Sequence, residues 1–227
     1  VNIEPVATGS PTIPVDSLNP VQVQPYGYYA LFTPKPQEPF QLWLGNLNKY
    51  DIYNGELGKV TRDATGKPSS FARLITSTGA LDQGIQGLWS GGAFEQLSLG
   101  ATALQTSKRK IYTNREVDSD GNGINGDELK AINLTTLFDA DDTKAPFKYD
   151  EHKNFWLNLL GYNVKADESA LNLADLIKKP ELRQLGSVMH STPVLLTQEG
   201  KILYSNGQLT TTSRKDYLMY GSTQGLL

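Results

Sequence analysis

Tyr50-Asp51-Ile52-Tyr53-Asn54-Gly55-Glu56-Leu57-Gly58-Lys59-Val60 reads as two β-strands folded back on each other. Alternating apolar residues lead into Asn54-Gly55 and leave it again. A two-residue hairpin turn needs positive φ at both central positions, which Asn-Gly tolerates best. Just upstream, Phe40-Gln41-Leu42-Trp43-Leu44 also alternates, so a β meander is expected here.

Further upstream the chain changes character. Eight of the 12 prolines fall in the first 39 residues, with few charges among them. Each proline removes a donor and restricts its predecessor, so residues 1–39 are expected to form an extended leader and no helix. Its aromatic run, Tyr26 to Phe32, is costly to leave in water and is expected to dock as a strand.

Downstream of the hairpin, Ala93 to Leu97 suits a short helix and Arg109 to Thr113 a strand, while Lys108-Arg109-Lys110 reads as a solvated basic turn. Asp150 to Gly161 is the best helical pattern. His152, Phe155, Trp156, Leu159 and Leu160 share one face, with Asp150 as N-cap and Gly161 past the end. That places His152 in the core. Asn172 to Lys179 predicts a second short helix capped by Asn172 and stopped by Pro180. From Val188 the chain returns to β. Three short strands are expected at 192–196, 201–204 and 216–220, with turns at Glu199-Gly200 and Asn206-Gly207. The last would leave an unpaired edge, so Tyr217 and Met219 are expected to pack against sequence C-terminal to Leu227.

Composition removes several function classes. The net charge of −3 argues against direct nucleic-acid binding. With no cysteine, thiol catalysis and zinc thiolates are excluded. No apolar run is long enough to span a bilayer. No glycine-rich phosphate loop occurs, and His190, beside Ser191, has no convincing acid partner. No catalytic and no organic-cofactor residues are assigned, and the protein is read as a non-enzyme.

One motif carries chemistry. Asp118-Ser119-Asp120-Gly121-Asn122-Gly123-Ile124-Asn125-Gly126-Asp127-Glu128 has the make-up of a calcium loop. Ca²⁺ takes six to eight oxygens, and side chains at loop positions 1, 3 and 5 converge on one point. Those are Asp118, Asp120 and Asn122. Gly123 is expected to make the sharp turn, Ile124 to offer its carbonyl, and either Asp127 or Glu128 to close the site. Position 12, where an EF-hand places its bidentate carboxylate, is Leu129, so the loop is shortened. A second acidic cluster, Asp139, Asp141 and Asp142, lacks this spacing and reads as a solvated loop.

Several stretches, in order along the chain, resemble the PilC/PilY-type adhesins of type IV pilus tips. "LWLGNLNKY" (Leu42–Tyr50) is similar to a strand that opens that family's C-terminal β-propeller. "SGGAFEQL" with "RKIYTNRE" (Arg109–Glu116), "FWLNLLGY" (Phe155–Tyr162), "LGSVMHSTPVLL" (Leu185–Leu196) and "DYLMYGSTQGLL" (Asp216–Leu227) resemble successive later blocks. The resemblance implies a mainly β chain with a few short helices, the opening portion of a modified, here incomplete, β-propeller. Residues 40–227 would hold it, with the calcium loop as an insertion. It implies an extracellular protein at the pilus tip or outer membrane surface, supporting adhesion, pilus biogenesis, and twitching motility or DNA uptake. Its partners would be minor and major pilins, a host or surface receptor, and the rest of the propeller. No Arg-Gly-Asp occurs, so integrin binding through that motif is not available. Two other readings stay open: a quinoprotein-like propeller dehydrogenase, and a calcium-stiffened module that binds glycans.

Overall fold

The computed structural model describes residues 6–7, 11–16, 18, 24–34, 43–99, 109–169, 171–189, 191–205 and 208–223. In chain order the elements are β1 (Val6–Ala7), β2 (Tyr26–Phe32), β3 (Gly45–Tyr53), β4 (Glu56–Arg62), β5 (Pro68–Arg73), α1 (Gly92–Gln96), β6 (Ile111–Val117), β7 (Gly123–Ile132), α2 (Leu134–Phe138), α3 (Lys153–Leu160), α4 (Leu173–Leu176), β8 (Val194–Ser205) and β9 (Gln208–Met219). The protein is mainly β, and every strand pair is antiparallel. The chain divides into two compact units, Val1–Glu95 with Leu185–Leu227, and Gln96–Gln184.

In the first unit a five-stranded sheet runs in the order β1-β2-β3-β4-β5, the expected meander. Tyr53 pairs with Glu56 across the turn, and Asn54 and Gly55 take φ of 52° and 81°. The aromatic run Tyr26–Phe32 is strand β2 and pairs with β3 along its whole length. Part of the expected leader therefore belongs to the sheet. Asp16 is held as well, by an ion pair to Arg214 of β9 at 2.8 Å. Residues 40–42 of the expected alternating strand lie outside the described residues, and β3 begins at Gly45. Tyr28, Ala30, Leu47 and Val188 form the core, with Trp89, Leu195 and Leu218 packed against it.

The three short strands expected near the C-terminus are instead two long ones, β8 and β9, paired as a hairpin. Glu199-Gly200 is not a turn. The register shifts on both sides of Glu199, and Ser213 on the facing strand takes φ of 52°. The polar Glu-Gly pair is absorbed as a bulge, and the strand continues beyond it. The second expected turn, Asn206-Gly207, lies outside the described residues. Alternation gives the hairpin two faces. Leu195 and Leu218 face the core. Val194 with Met219, and Leu196 with Tyr217, are directly opposed on the other face, between 43% and 60% exposed. Among the described residues no sheet closes on itself.

In the second unit the β6–β7 hairpin stands beside three short helices. Ile132, Leu137, Phe147, Leu157, Leu160, Tyr162 and Leu176 are its core. Helix α3 forms where expected, and Gly161 ends it in the left-handed conformation. Its buried face is rotated from the expected one. Trp156, Leu157 and Leu160 point inward, while Phe155 is 51% exposed. His152 is also exposed, so it is no core histidine. It occupies the N-cap position and makes no side-chain cap bond. Asp150 is therefore not the N-cap; its carboxylate turns inward to other partners. Arg109, read as part of a solvated basic turn, donates to the carbonyls of Leu97, Leu159 and Leu182. Its fork suits several carbonyls at once, which draws it inward. Helix α4 is capped as expected, Asn172 accepting from the Asp175 N–H at 2.9 Å. No helix among the described residues is long and apolar enough to cross a membrane.

Candidate metal centre

Asp118 to Asn122 is the turn that joins β6 to β7. Asp118 closes it. Its backbone N–H donates to the Asn122 carbonyl at 3.0 Å, and one carboxylate oxygen accepts the N–H groups of Asp120 and Asn122, both at 2.9 Å. A short acidic side chain can replace a backbone acceptor in this way, which is why Asp starts turns. These donors, the Asn122 N–H above all, hold the Asp118 carboxyl below the usual carboxylate range. The residue that makes the sharp turn is Gly121, at φ of 85°. Gly123 was expected there, but it is the first residue of β7 and pairs with Val117.

The turn is tied down from one side. The Gly121 carbonyl accepts the Glu151 N–H at 3.1 Å, and a Cβ on Gly121 would sit 2.6 Å from the Tyr149 carbonyl oxygen. Beneath it lies a network that the sequence reading did not assign. Arg115 of β6 donates to Asp150 from Nε at 3.1 Å and Nη2 at 3.0 Å, and to Glu151 at 3.1 Å. Asp150 also accepts the Trp156 indole N–H and the His152 N–H, each at 2.9 Å. Its side chain is fully buried. Burial pushes its carboxyl up, but Arg115, the His152 N–H and Trp156 together outweigh that and leave it below the ordinary range. The one available signal was Arg115, a cation within the alternating β6 strand.

As a cation site, the turn supplies part of what Ca²⁺ takes. The second Asp118 oxygen receives only a 3.4 Å contact from the Asn122 amide. No described residue donates to the Asp120 carboxylate. Ile124 is in β7 opposite Glu116, with its side chain exposed. Asp127 and Glu128 are exposed, farther along β7. There the regular register breaks: Thr113 pairs with Lys130 and Arg115 with Asn125, so residues 126–129 all oppose Asn114. The ladder does not hold these two carboxylates in place. Among the described residues no three His, Asp or Glu side chains are gathered as a metal-holding group. The side chains of Asp118 and Asn122 meet and Asp120 joins them through its backbone N–H; the two closing candidates are not gathered with them.

The second acidic cluster is used internally. Asp141 accepts from the Thr143 N–H and hydroxyl, and Asp142 pairs with Lys148 at 2.7 Å. His190 lies outside the described residues.

Compared with protein-family models, with curated proteins and with solved structures, the chain matches none of them.

Proposed function

We propose that this chain is the opening part of a PilC/PilY-type pilus tip propeller, a non-enzymatic extracellular factor for adhesion and pilus biogenesis. The observation that carries this reading is the outer face of the β8–β9 hairpin. Val194, Leu196, Tyr217 and Met219 form a contiguous apolar patch with one face of the same hairpin already on the core. Such a patch marks an interaction surface. In a propeller each sheet is covered by its neighbour, and a following blade would cover this one. A second observation supports it. Two of the blocks that carry the resemblance meet in space: Leu44 bridges Gly186, and the Gly45 N–H donates to the Leu185 carbonyl at 2.8 Å. Pilins and a surface receptor are the proposed partners. The test is Leu196→Lys with Tyr217→Lys in the gene as the bacterium carries it. Loss of surface pili and twitching, with the melting of residues 1–227 unchanged, supports the reading. Full piliation and twitching reject it.

The same proposal includes a Ca²⁺ at the β6–β7 turn. Asp118, Asp120, Asn122 and the Ile124 carbonyl would hold it, with Asp127 or Glu128 as the closing carboxylate. Its role would be to order that turn. At ten times the dissociation constant, Ca²⁺ would add about 1.4 kcal/mol of stability. Asp120→Ala should abolish the calcium-dependent rise in melting temperature and leave the calcium-free protein unchanged. Asp127→Ala and Glu128→Ala separate the two closing candidates. No heat of binding at millimolar calcium, with melting insensitive to EDTA, removes the site from the proposal.

A further inference from the structure

The first unit carries a cleft of about 300 Å³, small for a ligand pocket. Its floor is one face of β3, with Asn48 and Tyr50, and its wall is the 81–91 segment, with Asp82, Gln83, Gln86 and Trp89. Asn48 is the decisive residue. It is only 9% exposed, it lines the cleft, and no described residue makes a hydrogen bond to its side-chain amide. Its neighbour on the same face, Asn46, is fully employed: its amide donates to the Gly91 carbonyl at 2.9 Å and accepts the Phe94 N–H at 3.1 Å. The fully buried unpaired side-chain polar atoms among the described residues are Trp43 Nε1 and Ser222 Oγ, so the Asn48 amide is open to the cleft, where it can serve an occupant with both donors and acceptors.

The rest of the lining narrows the chemistry. Asp82 is the single charged side chain among the lining residues, so no cation is present to hold a phosphate or a carboxylate. Tyr50 is buried, so the half-buried Trp89 supplies the aromatic surface, braced against Tyr28 at 5.8 Å between ring centroids. Amides and a carboxylate for hydroxyls, with one aromatic ring for a C–H face, suit a sugar.

We propose that this cleft binds a single neutral sugar ring, with the Asn48 amide donating to one ring hydroxyl and accepting from another. The inference gives the adhesive reading a ligand class, but it rests on the cleft alone and is independent of the calcium turn.

The test is saturation-transfer NMR and titration of the intact chain with methyl α-mannoside, methyl β-galactoside, methyl β-N-acetylglucosaminide and N-acetylneuraminic acid, each with and without EDTA. At least one neutral glycoside should bind, more tightly than the anionic sugar, and EDTA should not weaken it. Asn48→Ala should lower the affinity about tenfold or more, the effect of losing a paired hydrogen-bonding group. Gln86→Trp, at an exposed rim position, should block binding while the melting temperature stays unchanged, so the inference is decided even if Asn48→Ala does not fold. No transfer from any neutral glycoside overturns it. So does binding that survives Gln86→Trp, and so does binding that EDTA removes.

Discussion

The turns at Asn54-Gly55 and at Asp118–Asn122 do the same job by different physics. Each joins two antiparallel strands, and each has a glycine at nearly the same positive φ, 81° at Gly55 and 85° at Gly121. The first stands clear of everything: nothing lies within 4 Å of where a Cβ on Gly55 would be. Its conformation comes from the dipeptide alone. The second leans on the chain beyond it, through the Gly121 carbonyl and the Tyr149–Glu151 segment, and closes on the Asp118 side chain. A turn of the first kind is local information. A turn of the second kind is tertiary structure that happens to be short.

The largest expected effect breaks the second turn at its support. Asp150→Ala leaves Arg115 beside an empty buried site and unpairs the Trp156 indole N–H. Removing one partner of a buried ion pair costs about 3–5 kcal/mol; Arg115 keeps Glu151 at 3.1 Å and is partly exposed, so urea unfolding should show a loss at the lower end of that range, about 3 kcal/mol. The charge has a pH signature too. The folded pKa of Asp150 is depressed, so its contribution is fully present above the unfolded carboxylate value and is lost as pH falls through the lower folded value. Stability should hold from pH 7 to 5 and decline below about pH 4. In Asp150→Asn that part of the acid decline should be missing; an unchanged acid profile would assign it to other carboxylates.

The same contrast explains how much was legible in the sequence. The meander, the docked aromatic strand, the Gly161 stop and the Asn172 cap were readable because each depends on residues adjacent in the chain. Three misreadings depend on distant ones. The face of α3 could not be fixed by spacing, because Phe155 and Leu157 flank Trp156 symmetrically and the packing partners chose Leu157. Asp150 looked like a cap because its position fits one; Arg115, 35 residues earlier, turned it inward. Arg109 looked solvated because the carbonyls it reaches are far along the chain. The candidate metal turn is half legible for the same reason. Asp118, Asp120 and Asn122 are neighbours in sequence and share one turn, closed by the Asp118 carboxylate on the backbone of the other two, whereas placing Asp127 or Glu128 depends on a strand irregularity that no motif encodes.

A smaller effect sharpens the comparison directly. Gly121→Ala must hold a Cβ at positive φ and also push it against the Tyr149 carbonyl, a backbone atom that cannot swing away. The conformational part costs about 1–2 kcal/mol, and displacing the 149–151 segment adds to it, so a loss of at least about 2 kcal/mol is expected. Loss of the Glu151 amide's protection in hydrogen exchange would show that the segment has moved. If the amide stays protected and the loss is near 1 kcal/mol, the turn is as independent as the first.

The smallest effect is the control that gives the others meaning. Gly55→Ala has the same φ problem with no neighbour to meet, so it should cost only the left-handed conformation, about 1 kcal/mol. Asn54 already shows that a side chain is tolerated at positive φ in this turn. The strands on either side are held by their own register, Tyr53 to Glu56 and Asp51 to Gly58, and should not slip for a penalty of that size. The ratio of the two Gly→Ala losses is therefore the quantity to measure. A ratio well above one means the Asp118–Asn122 turn is built by the chain at 149–151. Equal losses mean that both turns are local, and that the contact to Tyr149 yields without cost.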